Sequence, residues 1–86
     1  MPYIDKFLRS ALDNEIDALV SKLDVNMPGD INYAISRILW ALFKSTGRYA
    51  AANSLLGVLE AAKLEFYRRC VAPYEDEAIK RNGDLP

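Results

Sequence analysis

Histidine is absent from this chain, which removes the commonest general base and metal ligand. Its one cysteine, Cys70, excludes an internal disulfide framework and fits a reducing compartment. Cys70 also lies in an apolar helical pattern with no partner base, so it reads as a packing residue and not as a nucleophile. The longest charge-free stretch, residues 49–59, falls well short of the roughly 20 apolar residues that a membrane helix needs. No basic segment followed by an apolar run opens the sequence, so no secretory signal is expected, and the chain reads as soluble and cytoplasmic. Glycine-rich phosphate loops and nucleophile elbows are missing too.

What is present is hydrophobic for a small chain: 86 residues, 51% of them apolar. A single domain over residues 1–86 buries only about 60–65% of its unfolded surface at this size, so its core is marginal. Subunit contacts would absorb the surplus apolar surface, and a homo-oligomer is expected. The net charge of −1 is unevenly spread: −3 over residues 1–30, +4 over residues 31–72 and −2 over residues 73–86. A basic middle between acidic ends suits head-to-tail subunit contacts or an anionic ligand at the middle. No helix carries the continuous basic stripe expected of a duplex nucleic-acid binder.

The periodicity is helical throughout. Ile4, Phe7, Leu8, Ala11, Leu12, Ile16, Leu19, Val20 and Leu23 follow three–four spacing, which predicts one helix over about residues 4–24. Ser10 and Asp13 are possible internal caps that would divide it. Asn26, Pro28 and Gly29 mark a loop over about residues 25–30, and Asp30 is placed to cap a second helix over about residues 31–45. Gly47 supplies a left-handed stop. A third helix follows over about residues 50–72, with Leu55, Leu59, Ala62, Phe66 and Cys70 inward and Gly57 permitting close helix approach. Pro73 kinks or ends it, and a short fourth helix runs over about residues 74–82 to Gly83. The fold class is all-α: three main helices plus a short C-terminal helix, in a compact bundle.

Two places gather chemistry. On the second helix, Ile31, Ile35, Ile38 and Leu42 share one face, while Tyr33, Arg37, Trp40 and Lys44 share the opposite one. Two aromatics interleaved with two cations can stack on a flat ring and neutralise phosphate. A helix apolar all round is equally what a partner subunit buries, and the two readings are compatible. In "KLEFYRRCVAPY", Arg68 and Arg69 follow Glu65 by three and four residues, so each is in reach of it. One glutamate does not occupy two guanidiniums fully, leaving one for a phosphate or for an acid of another subunit. The tentative ligand set is therefore Tyr33, Arg37, Trp40, Lys44, Arg68 and Arg69, and the tentative interface set Trp40, Phe43, Tyr67, Tyr74 and Ile79. Glu75, Asp76 and Glu77 occupy the first turn of the last helix, where the helix dipole favours them, and Glu77 precedes Arg81 by four.

No catalytic residue, metal ligand or cofactor is assigned. Small all-α nucleotide pyrophosphohydrolases hold magnesium with Glu-x-x-Glu and Glu-x-x-Asp pairs on neighbouring helices. "INYAISRILWALF" has their apolar texture, but Glu60 and Glu65 are five apart and neither pair is present. Such an enzyme stays a distant alternative.

The stretches "PGDINYAISRIL" and "LLGVLEAAKLEFYRRCVAPYEDEAIKRNGD", with the opening "MPYI", resemble a family of small proteins from tailed phages and prophages. Similar proteins tend to end with an apolar residue and a tyrosine after Asn-Gly-Asp, where this chain has Leu85 and Pro86. They often carry cysteine where Ala61 stands. The resemblance implies an accessory protein of an infected bacterial host that works by stoichiometric binding. The expected partners are a nucleotide-like signal held between subunits or, alternatively, a host or phage protein. Residues 73–84 would then form a docked helix, packing Tyr74 and Ile79 in an assembly role.

Overall fold

The computed structural model describes residues 2–86, and among them every regular element is helical. Helix α1 spans Lys6–Val20, α2 Pro28–Lys44 and α3 Tyr49–Phe66; a π-helical stretch, Tyr67–Val71, then leads into α4, Ala72–Asn82. Residues 2–55 make one compact unit and residues 56–86 a second. The all-α expectation holds, with the last three segments joined in one helical run.

Helix α1 starts at a side-chain cap. The Asp5 carboxylate accepts the Phe7 backbone N–H at 2.8 Å, satisfying one of the donors that a helix start leaves free. The internal caps go unused: Ser10 instead donates its hydroxyl to the Phe7 carbonyl at 2.9 Å, and the helix continues through Asp13. It ends at Val20, four residues before the expected Asp24. There the backbone tightens, with Lys22 N–H donating to Leu19 O and Leu23 N–H to Val20 O. Asp24 belongs to the loop, where its carboxylate accepts the Asn26 N–H at 2.9 Å.

Helix α2 begins three residues earlier than its pattern predicts. Pro28 takes the first turn, where its fixed φ suits a helix and its missing N–H has no partner to lose. Asp30 is therefore a first-turn acid favoured by the dipole and not the cap. Gly47 stops the helix at φ +66°, and its N–H donates to Phe43 O at 2.7 Å. Helix α3 follows at once, with Arg48 O accepting the N–H groups of Ala51 and Ala52. The expectation that Gly57 admits a close helix is corrected: a Cβ placed there meets nothing within 4 Å.

Pro73 neither ends nor interrupts the helical hydrogen bonding. In an α-helical register its ring would press on the Arg69 carbonyl, which its missing N–H would also leave unbonded. The chain widens by one residue just before it, and the Ala72 N–H reaches back five residues to Tyr67 O. A π segment of this kind absorbs a register conflict without breaking the helix. Pro73 then sits in the first turn of α4. Glycine closes that helix as expected, Gly83 at φ +90° donating to Ile79 O.

No described side chain is buried. The half-buried positions are Leu23, Ile31, Ala34 and Leu39 along α2 and the loop before it, Ala51, Ala52 and Leu55 at the start of α3, and Glu65, Val71, Ala72 and Ala78 in the second unit. Ile35, Ile38 and Leu42, expected to face a core, remain 42–52% exposed. Leu59, Phe66 and Cys70 of the predicted inward face of α3 are exposed as well. Burying a side chain such as Phe7 or Trp40 would contribute about 1.5–3 kcal/mol, and that stabilisation is not drawn on inside this chain.

Candidate binding surface

The aromatic–cationic face of α2 is partly organised. Arg37 lies one turn after Tyr33, donates from Nη1 to the Tyr33 hydroxyl at 3.1 Å, and holds its guanidinium carbon 5.8 Å from the ring centroid. That is cation–π range. Beside them a concavity of about 360 Å³ is lined by Leu19, Leu23, Ala34 and Ile38, with Asp30, Tyr33 and Arg37 completing it. Its apolar part comes from the end of α1, the following loop and α2, so the helix pattern of residues 4–23 supplies half of a site it was not read as touching.

Trp40 and Lys44 continue the stripe along α2 but do not line this concavity. Trp40 is open to solvent at 65% exposure. Asp30 is the residue that sequence reading missed here. Its position three before Tyr33 and seven before Arg37 places it on the same side of the helix, a signal hidden by its expected role as a cap.

The remaining predicted ligand residues belong to the second unit. Arg68 is engaged by Glu65, its Nε donating to Oε1 at 3.1 Å and its Nη2 to the same oxygen. Arg69 has no ion-pair or hydrogen-bond partner among the described residues. The choice left open between the two arginines is thereby resolved for this chain: Arg68 takes the glutamate. Lys63 pairs with Glu60 at 3.2 Å, and Glu77 pairs with Lys80 at 3.2 Å, where Arg81 was expected. Pairs this exposed contribute little to stability.

The π segment carries one longer-range bond. The Tyr67 hydroxyl donates to Glu75 Oε2 at 3.2 Å, linking residues eight apart. That bond, then the negative charge of Glu75, pushes the Tyr67 phenol above its ordinary value, with minor help from desolvation and Asp76. Tyr74 and Ile79 are expected to pack in a docked helix, on this subunit or a neighbouring one. In the single chain they are 69% and 42% exposed, and within its own unit α4 adjoins the π segment that precedes it. Cys70 is exposed, so its packing role is corrected also. All five predicted interface residues, Trp40, Phe43, Tyr67, Tyr74 and Ile79, present accessible surface.

Among the described residues, no three acidic or cysteine side chains gather as metal ligands would. No described helix is long and apolar enough to cross a membrane. What remains is an all-α chain whose amphipathic helices show their apolar faces. Residues 1–85 match the family described as Domain of unknown function (DUF6899), and the chain belongs to that family. No curated protein and no solved structure matches it.

Proposed function

We propose that this protein acts by stoichiometric binding, and that its first partner is itself. The carrying observation is that a chain 51% apolar leaves no described side chain buried. The exposed apolar faces would then be covered in an obligate assembly, in which folding and association are one event. In this reading the protein is a small phage-type accessory protein of the bacterial cytoplasm, and a homo-oligomer is its working form.

A second reading concerns what the oligomer holds. The Tyr33–Arg37 pair beside an apolar concavity favours a flat, anionic ligand of nucleotide type, stacked on Tyr33 or Trp40 and neutralised by Arg37 and Lys44. A protein partner on the same face is the alternative.

Native mass spectrometry of the purified protein, alone and with pooled cyclic nucleotides and deoxynucleotides, tests both readings. An oligomer is expected, and a lone monomer would overturn the assembly. A bound nucleotide mass that disappears in Arg37→Ala while the oligomer persists supports the ligand. An oligomer that stays bare against the pool removes it and directs attention to protein partners.

A further inference from the structure

Beyond its Asp5 cap, helix α1 carries the charges of one stripe in an order that its own dipole does not favour. Lys6 and Arg9 stand in its first turn and Asp17 in its last, the reverse of what the helix ends attract. Asp13 and Asp17 add a like-charged pair four apart. Among the described residues, the side chains of Lys6, Asp13 and Asp17 make no ion pair or hydrogen bond. Arg9 donates only to the Ile4 carbonyl, at 2.7 Å.

At about 100° per residue, positions 6, 9, 13 and 17 fall on one stripe about 80° wide. That stripe runs alongside Leu8, Leu12 and Ile16, each 50–53% exposed. Read from its N-terminus it is basic, basic, acidic, acidic, an order complementary to itself only when reversed.

We propose that α1 pairs antiparallel with α1 of a second copy, about a twofold axis near Ala11 and Leu12. The inference rests on the reading that this protein assembles with itself. In such a pair, each flank of one helix meets the same flank of the other, so one self-complementary stripe is sufficient. Arg9 meets Asp13 of the second copy, and Lys6 meets Asp17, each contact occurring twice. Leu8 faces Ile16 across the axis and Leu12 faces its counterpart. The partner's acids arrive at the basic start of α1 and its bases at the acidic end, which removes the conflict with the dipole. A parallel pair would set this stripe against the opposite flank of the second copy and not against itself, leaving its charge order without a complement. The contact is isologous, as most closed dimeric contacts are.

The test uses the full chain with three sets of substitutions: K6E/R9E, which makes the stripe wholly acidic; D13K/D17K, which makes it wholly basic; and all four together, which reverses the order and keeps the net charge. Circular dichroism at high concentration establishes that each variant is helical, and sedimentation equilibrium at low and moderate salt reads association. The acidic and basic variants are expected to weaken self-association by at least about tenfold, reflecting several charge contacts turned repulsive at once. The fourfold variant is expected to associate within about threefold of the natural chain, yet not to mix with it. Unchanged association in all three variants overturns the α1 pairing and leaves self-assembly standing. Free mixing of the fourfold variant with the natural chain overturns the antiparallel order. A natural chain that stays monomeric overturns both this inference and the assembly on which it rests.

Discussion

Leu12→Ala is the perturbation that separates an assembling chain from a solitary one most sharply. In the chain alone, Leu12 is 51% exposed, so its truncation there would shift stability by no more than about 0.5 kcal/mol. At the centre of an antiparallel α1 pair the same side chain is covered, and each copy contributes one. Full burial of a leucine is worth about 1.5–3 kcal/mol; with half already shielded, about 1 kcal/mol remains per copy. Two copies lose about 2 kcal/mol, a rise of about thirtyfold in the dissociation constant. Any cavity left behind adds to that figure. Sedimentation equilibrium across a hundredfold concentration range reads it directly, with Val25→Ala in the exposed loop as the matched control. A change below about threefold in Leu12→Ala, with association intact, would refute the placement of this face at the contact.

Two further predictions concern single sites. Tyr67 is the tyrosine whose phenol is raised, by its bond to Glu75. A phenol raised on folding is protonated in both states below its unfolded pKa near 10, so the bond's contribution is complete there and is lost as pH rises through the higher folded value. Ultraviolet titration of the natural chain against Glu75→Gln is expected to show the Tyr67 step moving to lower pH in the variant; a titration unaltered by the substitution would remove the bond. Gly57→Ala is expected to stabilise the protein by up to about 1 kcal/mol in thermal unfolding, because a Cβ there meets nothing within 4 Å; a loss of that size would place a neighbour against Gly57 in the assembled protein.

The helices were legible because their apolar residues recur at three and four, and because Gly47 stops α2 where the backbone requires it, whereas Pro28, read as loop, opens that helix. Gly47 was readable as a stop since only a residue without a Cβ takes a positive φ cheaply. The π segment was not readable. Proline signals a conflict with the preceding carbonyl, but a chain can answer by stopping, kinking or widening, and composition does not distinguish these. Nor did periodicity fix the end of α1, because residues 21–23 keep their apolar phase while the hydrogen bonds tighten. Of the candidate site, Tyr33 and Arg37 were visible as a one-turn pair. Their concavity was not, since Leu19 and Leu23 come to it only through the loop geometry set by Asp24 and Pro28. The split between Arg68 and Arg69 was invisible for a different reason: both lie within reach of Glu65, and spacing alone does not choose.

The absence of buried side chains has a consequence for how this chain folds. Helices of 15 and 17 residues are barely longer than the about 12–15 residues below which even Ala-rich helices are marginal in water, and neither sequence is Ala-rich. Ordinarily tertiary burial supplies the difference, and here the apolar faces of α1 and α2 are open. If the missing burial comes from other copies, helicity and association must rise together with concentration, and the thermal midpoint must follow mass action. Dilution through the dissociation constant is then expected to lower the far-ultraviolet circular dichroism signal and the midpoint in parallel, with sedimentation showing loss of the oligomer over the same range. A midpoint and a helical signal constant over a hundredfold dilution, in a chain that sediments as a monomer throughout, would mean that the helices stand without partners. The exposed stripes would then have to be served by contacts within one chain.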